Sequence, residues 1–208
     1  MKTITSLMIA TVASSAFAQG TVDFRNTAST LISADGVPMP VSGTRQFIFA
    51  LFLAPSTTVN ASGQSTTFVD PTFQFVAAYN TNTSSSPGRL NNRIGLIVGE
   101  SQGYLPGSTV DFIVRGWSAD AGLTWSEALA NWNDGEPLVP MFIGASTVGN
   151  NLFLSGGQLP TTAVFGFGTS QVLGFEMPFI PEPSTMALAF LGGLTLFVGI
   201  RHPERQAR

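Results

Sequence analysis

Two uncharged apolar segments, one near each end of the 208-residue chain, limit which part of it can fold as a globular domain. The first lies at 4–12, after Lys2, and the second at 186–200, before Arg201. Apolar segments next to basic residues are typical of targeting and membrane segments. The chain between them, roughly 160 residues, is long enough for one domain with its own core.

Residues 1–18 have the features of a secretory signal peptide that enters the membrane as a short helix. Lys2 supplies the positive charge, and the apolar stretch after it is too short to span a bilayer. Ala16 and Ala18 are the small residues that signal peptidase requires. We expect cleavage after Ala18, with Gln19 as the first residue of an exported chain.

The C-terminal segment 180–208 combines three features in order. The first is Pro181-Glu182-Pro183, in which the prolines fix an extended segment. The second is a predicted transmembrane helix at 186–200. At about 22 Å it is shorter than the hydrocarbon core of a bilayer, about 30 Å, so spanning requires a thinner bilayer or an Arg201 side chain that snorkels to the interface. The third is a basic tail, which the positive-inside rule places in the cytoplasm. Its arginines are Arg201, Arg205 and Arg208.

This arrangement resembles the PEP-CTERM sorting signal of Gram-negative bacteria. The resemblance implies that an exosortase recognises Pro181-Glu182-Pro183, cuts nearby, and releases or re-attaches the preceding domain. It also implies a protein anchored in the cytoplasmic membrane before processing, and then at the cell surface or in the extracellular matrix. Pro203 and Glu204 interrupt the basic tail, which is denser in the family. A plain transmembrane anchor is the alternative.

The middle of the chain is similar to uncharacterised proteins that carry this signal. The similar segments include 20–26, 35–36, 47–53 and 107–117. This similarity implies one secreted β-domain and no known activity.

The composition of 19–179 predicts a mainly β domain, an antiparallel β-sandwich with one short helix. Only 10% of the chain is charged, against roughly 25% in ordinary soluble domains, while Gly (22) and Pro (13) are frequent. The predicted strands are 21–25, 46–53, 73–79, 93–98, 109–117, 161–167 and 171–175. We expect 46–53 to be central and buried on both faces. In 109–117, Asp111, Ile113 and Arg115 form a mixed face, so we expect burial on one face only.

The short helix is predicted by Thr124 and Glu127, which have the spacing of a capping box. Trp125, Leu129 and Trp132 would then lie on one stripe, which we interpret as the cover over one opening of the sandwich. The alternative interpretation uses exposed tryptophan rings as sugar-stacking platforms, which would make the domain a carbohydrate-binding module of the exopolysaccharide matrix. The rings concerned are those of Trp117, Trp125 and Trp132.

Residue types exclude several chemistries. The chain has no Cys and a single His, His202, so it has no thiol nucleophile and no Cys-ligated metal, and one chain cannot build a His triad. A glycosidase would need a pair of carboxylates, but the spacing of the acidic residues does not identify such a pair. We therefore predict a protein that is not an enzyme and has no cofactor, and we keep a secreted glycosidase as the alternative.

Charge and side-chain oxygens give weaker indications. Between 19 and 179 there are ten acidic residues against five arginines, a net charge of −5 that disfavours nucleic acid and anionic polysaccharide as partners. The densest group of possible calcium ligands is Asn131, Asn133, Asp134 and Glu136. Its spacing does not match an EF-hand, and a turn at Asp134-Gly135 explains it better. Two Asn-x-Ser/Thr sequons, at Asn60 and Asn82, lie in predicted loops.

Overall fold

A computed structural model describes residues 20–56, 67–98, 103–133, 136–156 and 159–181, with residues 77, 133, 136 and 137 described by their backbone only. The strands of this part of the chain are β1 (Gly20–Asp23), β2 (Ser33–Ala34), β3 (Val37–Pro38), β4 (Phe47–Pro55), β5 (Gln74–Thr81), β6 (Leu96–Val98), β7 (Thr109–Ser118), β8 (Trp132–Asn133), β9 (Glu136–Pro137), β10 (Met141–Ala145), β11 (Gly149–Phe153), β12 (Thr162–Ala163), β13 (Glu176–Met177) and β14 (Phe179–Ile180). A 3-10 turn covers Ala119–Ala121, and one α-helix, α1, covers Trp125–Asn131. The described chain is mainly β, as predicted.

The largest sheet has the order β14-β10-β7-β4-β5, and β11 also pairs with β7. At its centre β4 and β7 are antiparallel, with a continuous register from Phe47↔Ser118 to Pro55↔Val110. Strand β4 is buried from Phe47 to Ala54, as its apolar sequence predicts. The core therefore lies on both sides of this strand pair.

The prediction that 109–117 is buried on one face only is wrong. Strand β7 is buried from Val110 to Ser118, including Asp111 and Arg115. The reason is a second layer: α1 and the segment at 67–73 cover the face that carries Ile113, Arg115 and Trp117. Long-range packing has enclosed two charged side chains that the sequence pattern places on a mixed face.

Two hydrophobic clusters lie on opposite faces of the large sheet. The first cluster joins it to a smaller sheet of order β12-β1-β6 and includes Phe49, Phe112, Val22, Val98 and Val164. The second cluster joins the other face to α1 and includes Phe52, Phe68, Trp117 and Ala128. The large sheet is thus covered on both faces.

Not every pairing is antiparallel. Strand β1 pairs in parallel with β12, and β2 in parallel with β13, while the other named pairs are antiparallel. Both parallel partners come from the last quarter of the chain. They add to strands from its beginning, so the two ends of the described chain are joined.

The predicted strands match the structure unevenly. Those at 21–25, 46–53, 73–79, 93–98 and 109–117 overlap β1, β4, β5, β6 and β7. The segment 161–167 keeps only the two residues of β12, and 171–175 forms no strand. Instead, a loop at 166–171 folds back so that Val172 forms one isolated bridge with Phe165.

The capping box is confirmed. Thr124 precedes α1, its hydroxyl accepts a hydrogen bond from the Glu127 N–H at 3.3 Å, and the Glu127 carboxylate accepts one from the Thr124 N–H at 3.0 Å. Among the described residues, no helix is long and apolar enough to cross a membrane. The signal peptide at 1–18 and the transmembrane helix predicted at 186–200 lie outside the described residues.

Candidate functional site

The described chain ends where the predicted sorting motif begins. Strand β14 pairs with β10 through Met141↔Ile180 and Phe142↔Phe179, and the next residue, Pro181, is exposed. Glu182 and Pro183 lie outside the described residues, as do Ala16, Ala18, Gln19, Arg201, Arg205 and Arg208. The structure therefore places the first residue of the motif at the surface, directly after an edge strand.

Two carboxylates hold the segment before Pro181 against the body. Glu176 Oε1 accepts a hydrogen bond from the Gly36 N–H at 2.6 Å, and its Oε2 accepts one from the Ser33 hydroxyl. Asp35 Oδ1 accepts a hydrogen bond from the Phe179 N–H at 3.3 Å. Because these acceptors and donors are far apart in the sequence, the C-terminal segment is fixed by tertiary contacts up to β14.

Ring packing adds to these bonds. The Phe179 ring centroid is 5.1 Å from that of Phe142, and the Arg45 guanidinium lies 5.0 Å from the centroid of the Phe142 ring. Phe142 also forms an edge contact with Phe47 at 5.8 Å. Such aromatic and cation–π contacts contribute roughly 0.5–1.5 kcal/mol each beyond their burial. The ring of Phe179 thus holds the two-residue strand β14 against β10.

The structure brings the three tryptophans together around Phe68. The ring centroids of Trp117, Trp125 and Trp132 lie 6.5, 5.3 and 5.6 Å from the Phe68 centroid, all in edge-type contacts. Trp117 is 0% exposed, and its indole N–H donates to the Gly122 carbonyl at 2.9 Å. Trp117 therefore offers no ring face to a sugar.

Trp125 and Trp132 are half-buried and pack toward the second cluster, while Leu129 of the same stripe is 42% exposed. The Trp125 ring also contacts Phe52 edge-on at 4.8 Å. Trp125 and Trp132 therefore cover the face of the large sheet that is opposite the smaller sheet, and not an opening of the sandwich as the sequence predicts.

Arg115 is the residue of this cluster that sequence reasoning missed. Its side chain is 2% exposed, and its guanidinium lies 4.1 Å from the ring centroid of Phe52 and 5.1 Å from that of Trp125. Its Nη2 donates to the Asp70 carbonyl at 2.6 Å, and Nε has no partner among the described residues. Ring faces therefore provide most of the surroundings of this cation.

Burial lowers the pKa of Arg115 to about 10, an effect that the negative charge of Asp70 opposes. Arg115 consequently stays protonated at neutral pH. It links β7, the 67–73 segment and α1, which is a structural role.

Of the possible calcium ligands, only the Asn131 side chain is described. The Asn131 amide donates to the Ala121 carbonyl at 3.0 Å. Asn133 and Glu136 are paired in the β8–β9 hairpin, and Asp134 lies outside the described residues. No group of three or more acidic or histidine side chains suited to a metal ion occurs among the residues described.

A surface groove of about 200 Å³ lies beside the 166–171 loop. Its lining residues are Thr147, Val148, Gly166, Phe167, Gly168, Gln171 and Leu173. None of them is charged, and Phe167 is 76% exposed. The sequence analysis did not select this groove, because its two walls come from segments about 20 residues apart that show no motif.

Comparisons of the chain with protein-family models, curated proteins and solved structures found no match.

Proposed function

We propose that this is an exported bacterial surface or matrix protein, sorted and processed by an exosortase, whose β-domain is a structural or adhesive module rather than an enzyme. In this proposal residues 1–18 are removed by signal peptidase, Pro181-Glu182-Pro183 is the recognition motif, and 186–200 holds the chain in the cytoplasmic membrane until processing. The exported part, 19–179, is a mainly antiparallel β-sandwich with two short parallel pairs, supported by the cluster that its two sheets share.

The observation that carries the proposal is the position of Pro181. The hydrogen bonds of Glu176 and Asp35 and the pairing of β14 with β10 hold the chain against the body as far as Ile180. Pro181 follows at the surface. A processing enzyme that acts at or after this residue would cut outside the sheet, and the domain would be released intact.

The carboxylates of the described chain support a role without catalysis, because many are engaged in structural bonds. Asp23 accepts a hydrogen bond from Arg25, Asp70 from the Thr72 N–H, and Asp111 from the Asn151 N–H. Glu127 caps α1, and Glu176 binds the β2–β3 hairpin. A glycosidase would need two such groups facing a cleft.

A carbohydrate-binding module built on the tryptophans is not kept as a second candidate. Trp117 is fully buried, and Trp125 and Trp132 pack edge-on against Phe68. No contact of these three rings favours sugar stacking.

The test is the intact mass of the protein from native envelope and medium fractions, for the wild type and for Glu182→Ala. We expect the wild type to begin at Gln19 and to end near Pro181, with or without an added group. Glu182→Ala should instead retain Arg208 and remain in the membrane fraction. Because Glu182 follows β14, the last strand of the described residues, in the sequence, the fold of the domain should not change.

Glu204→Ala is the matched control, since it removes a carboxylate from the tail and leaves the motif intact. It should mature as the wild type does. Normal maturation of Glu182→Ala would refute recognition of the motif. A wild-type membrane species that retains Arg208 would instead indicate a plain transmembrane anchor.

A further inference from the structure

We propose that the groove beside the 166–171 loop binds an uncharged glycan. Its apolar wall is the ring of Phe167 with Leu173, and its polar wall is Gln171 with Thr147. This inference goes beyond the proposed function, because it requires neither the sorting motif nor processing.

The apolar wall is displayed by an ordered loop. Phe167 is 76% exposed and Leu173 is 50% exposed, although large apolar side chains are favoured in the interior. The loop is closed by backbone hydrogen bonds from Gly166 N–H to the Val172 carbonyl at 3.0 Å and from Gln171 N–H to the Gly168 carbonyl at 3.1 Å. An aromatic ring held in solvent by such bonds offers a flat face to the C–H groups of a sugar ring.

The polar wall has a fixed orientation. The Gly168 N–H donates to Gln171 Oε1 at 2.9 Å, so the Nε2 end of the carboxamide keeps its two donors for another acceptor. Gly166 makes room for this carboxamide, since a Cβ at that position would overlap Gln171 Oε1. A flat apolar wall with a few directed polar groups is the general composition of a small-ligand site, and donors of this kind suit sugar hydroxyls.

Charge and size select among ligands. No lining residue is charged, and the net charge of −5 on 19–179 disfavours an anionic polymer. Sites for drug-sized ligands have volumes of roughly 300–1,000 Å³, so a groove of about 200 Å³ suits a smaller unit. A neutral sugar unit within a longer chain fits both limits.

The groove lies at the other end of β10 from Ile180. Ile180, just before Pro181, pairs with Met141 at the start of β10, whereas Thr147 and Val148 follow the end of β10 at Ala145. Four residue steps of a strand separate these ends by about 14 Å.

The test is calorimetric titration of the purified full chain with cellohexaose, maltohexaose and xylohexaose, and with polygalacturonate as the anionic probe. We expect at least one neutral hexasaccharide to bind and polygalacturonate not to bind. Phe167→Ala should weaken that binding about tenfold, as expected for loss of one ring contact, and Phe167→Trp should retain it. Gln171→Ala should weaken it as well.

Leu105→Ala is the matched control, because Leu105 is 60% exposed and does not line the groove. It should bind as the wild type does, and all variants should have the wild-type Tm. The proposal would be overturned if no neutral hexasaccharide bound to the wild type. It would also be overturned if Phe167→Ala and Gln171→Ala both bound as tightly as the wild type. A wild-type dimer that Phe167→Ala converts to a monomer would overturn it too, since the loop would then be an interface between copies of the chain. None of these results bears on maturation at Glu182.

Discussion

At the residue scale, three buried asparagines organise the loops around the first cluster. Asn26, Asn80 and Asn82 are at most 2% exposed, and each side chain hydrogen-bonds to three backbone groups. An amide suits this role because it combines an acceptor with two donors. The bonds also bear on the Asn82 sequon: a side chain enclosed in this way is not accessible for glycosylation in the folded protein. The Asn60 sequon lies outside the described residues.

The hydrogen bonds of Asn82 predict a large contribution of this side chain to stability. Its Oδ1 accepts from the Phe47 N–H at 2.9 Å, and its Nδ2 donates to the carbonyls of Pro40 and Arg45 at 2.7 and 2.8 Å. We expect Asn82→Ala to lower the free energy of unfolding by about 2–4 kcal/mol, because buried backbone groups lose their partners. Urea denaturation measures the change. The exposed neighbour Ser85→Ala should lie within about 0.5 kcal/mol of the wild type, and an equally small change for Asn82→Ala would contradict the prediction.

At the element scale, the N-terminus of α1 depends on a titrating group. Hydrogen bonds from the N–H groups of Leu123 and Thr124, at 2.7 and 3.0 Å, lower the pKa of Glu127 below its usual value. A carboxylate whose pKa is lower in the folded state stabilises that state above its unfolded pKa. This contribution is lost as the pH falls through the folded-state pKa.

We therefore expect the backbone amides at the N-terminus of α1 to lose protection from hydrogen exchange in acid. Hydrogen exchange of the Leu123 and Thr124 amides, expressed as protection factors, should show decreasing protection as the pH falls through the folded-state pKa of Glu127. Glu127→Gln is the control, because it keeps an acceptor of similar shape but does not titrate. Its protection factors should be independent of pH over the same interval. The same acid dependence in both proteins would show that Glu127 is not responsible.

At the scale of the whole molecule, β4 and β7 connect the two hydrophobic clusters. Residues of β4 alternate between them, with Phe49 and Leu51 in the first and Ile48 and Phe52 in the second. A strand pair shared in this way cannot lose one cluster and keep the other, so we expect the described body to unfold as one cooperative unit.

Phe112→Ala tests this cooperativity. Phe112 is 0% exposed and belongs to the first cluster, whereas the three tryptophans contact the second. The substitution should lower the free energy of unfolding by about 3–5 kcal/mol. Because unfolding is cooperative, tryptophan fluorescence and far-ultraviolet circular dichroism should give the same shifted urea midpoint. A fluorescence midpoint that stays at the wild-type value while the dichroism midpoint shifts would contradict a single unit. Leu105→Ala should shift neither.

Elements whose signals are local can be predicted from the amino-acid sequence. Strand β4 follows from a continuous apolar run, and α1 from the Thr124 and Glu127 side chains. These patterns are complete within about ten residues, so no distant contact is needed to recognise them.

Features that depend on distant partners are visible only in the folded chain. The two-residue strands β2 and β13 exist because Ser33 pairs with Glu176, and Arg115 is buried because α1 and the 67–73 segment close over β7. The groove is formed where the 166–171 loop meets Thr147 and Val148. A two-residue strand or a mixed face has almost no intrinsic β propensity. Its stabilisation comes from packing against a partner surface, and no local sequence pattern specifies that surface.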